Sequence, residues 1–345
     1  MSTSESYIAI PPGMTIKEQL ENRGMRQKEF AKRMGMTEKH ISHLINGKVE
    51  LTDDMAARLE CVLGLPAVFW LNLEAHYRSQ LQKAREENEL QGEINFAKRL
   101  PYAEMAELQW VERVSNDVEQ VRLLRKFFEV ARLEIIDDLD VFGDFLSQDG
   151  MERERYSLLA WLQQAKHLAP QTSLDRINRR KLRSLFSSIR ELTGQKPEVF
   201  CPSLRDMLVD CGISLVFLPA LGDLDFDCIS FKAGKKQVLG ITLGDKSSDT
   251  FWMQLLGELY GLMVDAKEAY ALTEEVRQEL RDILVPRQAY DTFVGRGHFA
   301  REAILAFVKE EGLDAGLVAA CLQDDGKITE AQYQELQTIY HLEAC

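Results

Sequence analysis

The sequence lacks a long apolar run. No apolar stretch reaches the ~20 residues that a membrane-spanning helix needs. The first 13 residues contain neither the basic segment nor the apolar segment of a signal peptide. We therefore predict no membrane span and no secretion signal, and we expect a cytoplasmic location.

Cysteine and histidine are scarce, with six of each in 345 residues. The cysteines are scattered and form no C-x-x-C pair, which predicts reduced thiols and neither disulfides nor a zinc site. The histidines show no metal-ligand spacing on a shared helix, apart from His40 and His43, for which another role is predicted below. We predict no bound metal and no cofactor.

The charge is unevenly distributed along the chain. The net charge is −13, yet residues 1–80 contain ten Lys or Arg and ten Asp or Glu. The remainder therefore carries the whole acidic excess. Because an acidic surface repels nucleic acid, any contact with nucleic acid is predicted for the N-terminal part. The length allows two or three domains.

The segment from Met25 to Lys48 contains two short helical patterns joined by a tight turn. Gly35 ends the first pattern, as a left-handed residue after a helix does. Thr37 then stands at the N-cap position of the second pattern. Helix, glycine-containing turn and helix form a helix-turn-helix, whose second helix can enter the major groove of DNA.

The same segment is basic. Seven Lys or Arg and two acids lie between Arg23 and Lys48, which suits a phosphate backbone. An ordinary helical hairpin with a solvated basic face is the alternative. We predict that Gln27 contacts phosphate and that polar residues of the second helix contact base edges. The predicted DNA-contacting residues are Arg26, Gln27, Lys28, Lys32, Thr37, Lys39, His40, Ser42, His43, Asn46 and Lys48.

Three further helical patterns flank this motif and complete a five-helix all-α head over residues 1–78. Residues 1–13 are expected to be extended because Pro-Pro-Gly disfavours helix, and Thr15 is expected to cap the first helix. Residues 79–100 are polar and favour an exposed connecting helix, although a flexible linker fits them equally well.

Residues 8–78 closely resemble the HigA-type antitoxins of the XRE (Cro/C1-like) helix-turn-helix family. The resemblance rests on Ile10-Pro11-Pro12-Gly13, Gln27 at the start of a helix, Asn46-Gly47 at the end of the next, and Phe69-Trp70-Leu71-Asn72-Leu73. It implies a lambda-repressor-like head that binds a palindromic double-stranded DNA operator as a homodimer. It also implies repression of the protein's own operon and, in many members, neutralisation of a protein toxin.

The rest of the chain divides into a helical middle region, residues 101–195, and an α+β region, residues 196–345. Three short β-rich segments within residues 213–243 predict a small antiparallel sheet. A helical pattern follows them directly. The predicted fold is therefore mainly α and multidomain.

Residues 200–328 resemble the ImmA/IrrE-type metallopeptidase domain, which is found fused to XRE heads. That family carries H-E-x-x-H on a helix, where two histidines bind zinc and the glutamate activates water. Here Gly257 and Gly261 replace both histidines, while Glu258 and Glu275 match the general base and the third ligand. A catalytic zinc site needs three protein ligands. We therefore predict a degenerate domain with relic carboxylates and no enzymatic activity.

Three functions fit these patterns. The first is a DNA-binding repressor of the antitoxin type, whose C-terminal domain serves dimerisation, sensing or partner binding without catalysis. The second is a zinc metallopeptidase that acts on a repressor or a toxin. The third is a toxin-binding scaffold that does not bind DNA. The first uses every strong feature of the sequence.

Overall fold

The computed structural model describes residues 10–138, 152–169, 176–224, 226–264 and 273–343. The chain forms two compact units, Met1–Ile94 and Asn95–Cys345. Both units are mainly helical, and a small sheet lies in the second, as the sequence predicts. Among the described helices, none has the length and apolar character to cross a membrane.

The N-terminal unit contains the five predicted helices. They are α1 Pro12–Asn22, α2 Gln27–Met34, α3 Glu38–Ile45, α4 Asp53–Leu63 and α5 Ala67–Gly92. The residues predicted as a separate connecting helix continue α5 without a break as far as Gly92. The helices enclose one apolar core, in which Phe30, Ile41, Leu59 and Trp70 are fully buried.

The start of α1 differs from the prediction. Pro12 and Gly13 lie inside the helix, with Pro11 as its N-cap, and Thr15 is not a cap. Proline fits the first helical position because the N–H that it lacks would have no intrahelical acceptor there, and because its φ is already helical. The expectation of extended backbone over residues 1–13 was therefore wrong at Pro12 and Gly13, while Pro11 is extended and residues 1–9 lie outside the described residues.

Two glycines permit close packing around the end of α3. A Cβ on Gly13 would stand 1.9 Å from the carbonyl oxygen of Ile45, so the first turn of α1 lies directly against the backbone of α3. Gly47 has a φ of +65°, and a Cβ there would stand 2.8 Å from the hydroxyl of Tyr77 and 3.0 Å from Cβ of Pro11. The Pro-Pro-Gly and Asn-Gly sequences thus mark the two sides of one contact.

The C-terminal unit contains twelve further described α-helices, one 3-10 helix and five strands. The helices in its first half are α6 Ile94–Ala97, α7 Tyr102–Glu107, α8 Asp117–Phe128, α9 Glu152–Leu168, α10 Arg179–Thr193 and α11 Pro197–Val209, with the 3-10 helix Leu133–Asp138 between α8 and α9. The helices in its second half are α12 Ser248–Val264, α13 Glu274–Leu284, α14 Arg287–Gly295, α15 Arg301–Glu311, α16 Ala315–Asp324 and α17 Glu330–Leu336. The strands are β1 Ile213–Leu218, β2 Cys228–Ala233, β3 Lys236–Thr242, β4 Gly244–Ser247 and β5 Ile339–Leu342.

The three-stranded sheet is mixed, and the prediction of an antiparallel sheet was wrong for one strand. β3 lies in the middle, antiparallel to β2 and parallel to β1. The chain leaves the end of β1 and crosses the end of β3 before it enters β2, where the backbone N–H of Thr242 bonds to the carbonyl of Asp227 at 3.0 Å. Strand periodicity reports which residues are buried but gives no information about this crossing.

Helices cover both faces of the sheet. A Cβ on Gly240 of β3 would stand 2.3 Å from the ring of Trp161, so α9 lies close against one face. On the opposite face Leu239 and Ile241 enter the large core formed with α11 and α12. Helices from the predicted middle region and from the predicted α+β region thus share this unit, while the domain boundaries at residues 78, 100 and 195 stay predictions.

Candidate nucleic-acid interface

The turn between α2 and α3 is built as the sequence indicates. Gly35 follows α2 in the left-handed region, with a φ of 64°. Thr37 caps α3, because its side-chain oxygen accepts a hydrogen bond from the backbone N–H of His40 at 3.2 Å. Three residues therefore separate two helices of eight residues each, and both ends of the turn are fixed by local hydrogen bonding.

One face of α3 is open to solvent. Successive residues are about 100° apart around a helix, so Lys39, Ser42 and His43 fall within an arc of about 100° opposite the buried Ile41 and Leu44. Lys39 is exposed, while Ser42 and His43 are half-buried. The helix therefore presents a short polar surface of one cation, one hydroxyl and one imidazole.

Asn46 follows this face at the end of α3. It is exposed, and its amide nitrogen donates to the carbonyl oxygen of Ser42 at 2.7 Å. This bond satisfies one of the carbonyl groups that the end of a helix leaves without an intrahelical donor. The side-chain nitrogen of Asn46 is therefore engaged with the last turn of α3.

His40 differs from the other predicted base-contacting residues. It is half-buried, and its position on α3 lies about 60° beyond the polar arc. Its Nε2 is buried and has no hydrogen-bond partner among the described residues. The prediction that this side chain faces outward with its neighbours therefore needs correction: His40 lies at the margin of the face.

The N-terminus of α2 is open. Gln27 is its first residue, as predicted, and the N-cap Arg26 makes no side-chain capping bond. Both side chains are exposed. The first N–H groups of a helix have no intrahelical acceptor and carry partial positive charge, which makes such a terminus suitable for phosphate. Gln27 and Arg26 therefore lie exposed at this terminus, where the sequence predicts a phosphate contact.

The cations of the basic segment fall into two groups. Arg23 donates to the carbonyl oxygen of Leu63 at 2.6 Å, Arg33 pairs with Glu29 at 2.6 Å, and Lys28 lies 4.0 Å from Glu38. Within the described part of the chain, the other members have exposed side chains with no ion pair. These members are Arg26, Lys32, Lys39 and Lys48. The positive charge available to an anion is therefore smaller than the sequence count indicates.

Arg58 supports the motif in a way that the sequence did not reveal. Its guanidinium donates to the carbonyl oxygen of Met34 at 3.0 Å and pairs with Asp54 at 2.8 Å. Arg58 lies on α4 and thereby supplies a hydrogen-bond donor to a carbonyl group at the end of α2. No spacing rule links an arginine to a carbonyl 24 residues earlier, so only the fold identifies this contact.

The relic carboxylate Glu258 lies on α12 and is mostly buried. Its side chain accepts a hydrogen bond from the backbone N–H of Ser230 in β2 at 2.9 Å. Burial raises the pKa of this carboxyl group, and the bonds from Ser230 act in the opposite direction. Glu258 therefore ties the helix to the sheet.

Gly257 and Gly261, at the two positions where the resembled family has histidines, are half-buried on the same helix, and Glu275 is exposed on α13. Across the described residues, no group of three or more His, Cys, Asp or Glu has an arrangement that could hold a metal ion. Glu258 and Glu275 are therefore carboxylates outside any metal-binding cluster of the described residues.

Comparisons with known proteins agree with the geometry of α2 and α3, which is that of a helix-turn-helix. The HTH_3 family model, described as helix-turn-helix, matches residues 16–70. An uncharacterized HTH-type transcriptional regulator of Escherichia coli, YddM, is 38% identical over 63 residues, which cover 18% of this chain and 67% of the relative. Through its N-terminal unit, the chain belongs to this helix-turn-helix family.

A solved structure also matches. It is an addiction module antidote protein of a HigA family from Coxiella burnetii, 27% identical, and the match covers 25% of this chain and 94% of the other. The TM-score is 0.23, which is too low to support a structural argument.

Proposed function

We propose that this chain is a sequence-specific DNA-binding repressor of the antitoxin type. The observation that carries the proposal is the open polar face of α3, formed by Lys39, Ser42 and His43, together with an N-terminus of α2 that has no side-chain cap. Membership of the helix-turn-helix family supports the same conclusion.

The proposed contacts separate positioning from recognition. Gln27 and the first turn of α2 bind a phosphate, and the free cations Arg26, Lys32 and Lys48 add backbone charge, because phosphate contacts fix the register of a protein on DNA. Lys39, Ser42 and His43 contact base edges in the major groove. His40 supports the end of this face from its half-buried position.

We further propose that the protein acts as a homodimer. Two recognition helices about one turn of DNA (~34 Å) apart match a palindromic operator. The sequence resemblance of residues 8–78 to HigA-type antitoxins supports an operator in the protein's own operon, and it supports a protein toxin as a second partner.

A mobility-shift titration with the DNA upstream of the protein's own reading frame tests the proposal. A specific complex should form at moderate salt and resist an excess of unrelated DNA. Lys39→Ala combined with His43→Ala should remove the specificity, while Lys17→Ala, an exposed lysine on α1, should not. Equal affinity for both DNAs would reject sequence-specific binding.

For the C-terminal unit we propose a role in dimerisation, sensing or partner binding without catalysis. Glycine provides no side-chain ligand at residues 257 and 261, and Glu258 is engaged with the backbone of β2. The opposing hypothesis is a zinc metallopeptidase. Elemental analysis of protein purified without chelator distinguishes the two: about one zinc per chain, as a catalytic site needs, would support the peptidase.

A further inference from the structure

A cavity of about 550 Å³ lies between α12, α13, α16 and α17 of the C-terminal unit. This volume falls within the ~300–1,000 Å³ that small-molecule sites occupy. Its apolar wall includes Met253, Leu284 and Leu317, and its polar wall includes Asp249 and Arg281. The cavity thus combines an apolar surface with many polar and charged side chains.

This cavity is separate from the relic peptidase position. Neither Glu258 nor the two glycines that replace histidines line it, and Glu275 is absent from its wall although Glu274 is present. Its polar residues from α12 come from the first two turns of that helix. A ligand here would therefore use different residues from those of the resembled peptidase family.

The wall of the cavity is negatively charged. Among the described residues that line it, four are carboxylates and two are arginines. One of the arginines, Arg281, pairs with Asp325 at 3.0 Å and donates to the carbonyl of Cys321 at 2.7 Å. The other, Arg277, is more than half exposed and only 4.0 Å from Glu274. The arginines are therefore partly neutralised, and the acidic excess remains.

Asp249 is the most informative of the four carboxylates. Its Oδ2 accepts a hydrogen bond from the hydroxyl of Tyr333 at 3.1 Å. Its Oδ1 is buried and has no hydrogen-bond partner within the described part of the chain. Since a buried acceptor without a donor costs free energy, a bound donor that reached this carboxylate would recover that cost.

We propose that the cavity binds a small organic cation, with an ammonium group directed to Asp249 and an apolar body against Met253, Leu284 and Leu317. An ammonium supplies three donors and one positive charge, which match the unpaired oxygen and the acidic wall. A carboxylate ligand of the same length would meet repulsion. This binding does not depend on DNA recognition, so its test uses no DNA.

Isothermal titration of the full-length protein at pH 7 with n-hexylammonium chloride, n-hexanol and sodium hexanoate tests the charge requirement at constant ionic strength. The ammonium should bind at least tenfold more tightly than the alcohol, and hexanoate should show no binding. A concentration of ammonium well above its Kd should also raise the Tm of the C-terminal unit by about 3 °C.

Matched variants locate the site. Asp249→Asn should weaken binding of the ammonium at least tenfold. Glu274→Gln should weaken it by a smaller factor, while the neighbouring Glu275→Gln, outside the cavity, should leave it unchanged. If Asp249→Asn does not fold, the comparison of Glu274→Gln with Glu275→Gln still tests whether the cavity is the binding site. The proposal is overturned if the ammonium does not bind the unmodified protein, if hexanoate binds equally well, or if Glu275→Gln has the larger effect.

Discussion

The polar face of α3 and the relic peptidase position of α12 stand in opposite relation to function. α3 has a side-chain cap at Thr37 and an open face whose polar groups include Lys39, Ser42 and His43. α12 has half-buried glycines where the resembled peptidase family has ligands, and its one carboxylate at that position bonds to the backbone of β2. The face of α3 therefore presents free polar groups, while Glu258 of α12 holds its own unit together.

This difference shows that the presence of a motif residue is a weak guide to its role. Glu258 is present at the general-base position, but its bond to Ser230 gives it a structural role. Lys39 belongs to no catalytic motif, and its exposed position makes it available. Four predictions test the comparison, beginning with the largest expected effect.

Gly13→Ala should have the largest effect. Its Cβ would stand 1.9 Å from the backbone oxygen of Ile45, so α1 must move away from α3, at a cost of about 3 kcal/mol or more in the stability of the N-terminal unit. Chemical denaturation measures the loss. Gly92→Ala, which has open space around the added Cβ, is the control. A loss no greater than that of the control would show that α1 does not hold α3.

Removal of a side chain that we propose to contact a base should have the next largest effect. Lys39→Ala and His43→Ala should each reduce affinity for the specific operator by about tenfold, because a base contact contributes about 1–3 kcal/mol. The Tm of the N-terminal unit should be nearly unchanged, since both side chains are outside the core. A titration by fluorescence anisotropy, paired with a melting curve, separates the two properties. Equal losses of affinity and stability would contradict this account of α3.

Loss of the side-chain cap of α3 should have a smaller effect than the two changes above. Thr37→Ala removes the acceptor for the N–H of His40 and should destabilise the N-terminal unit by about 1 kcal/mol. Removal of the cap should also weaken operator binding, because the first turn of α3 carries Lys39. Thr273→Ala removes an equivalent cap from α13 and provides the control in the other unit. That variant should leave operator binding unchanged.

The smallest expected effect belongs to Glu258→Gln. Burial raises the pKa of Glu258 in the folded protein, so its contribution to stability is fully present below the unfolded pKa and is lost as pH rises through the folded pKa. Glutamine stays neutral and can still accept from Ser230. The variant should therefore raise the Tm at pH 7.5 more than at pH 4. A uniform change at both pH values would contradict burial as the cause.

Local signals in the N-terminal unit predicted its helices well. Gly35 and Thr37 stand where the structure ends or caps a helix, because these residues act through their own backbone geometry and nearest hydrogen bonds. Pro12 misled the prediction, since proline disfavours a helix interior but suits the first position. A pattern of residue types alone does not distinguish those two positions.

Contacts between distant residues account for what the sequence did not predict. The Arg58–Met34 bond, the burial of His40 Nε2 and the parallel pairing of β1 with β3 all depend on where the chain returns after a turn or crossing. The cavity beside Asp249 is a further example, since four helices form its wall. Neither periodicity nor spacing encodes such arrangements.

The contact between Tyr77 and Gly47 links the long helix α5 to the segment that follows α3. A helix of 26 residues rises about 39 Å, and Tyr77 lies in its third turn against the end of α3. The part of α5 beyond Tyr77 therefore forms a lever arm, with the Tyr77–Gly47 contact beside its near end. We expect a force applied near Gly92 to bear on this contact, two residues beyond the end of α3.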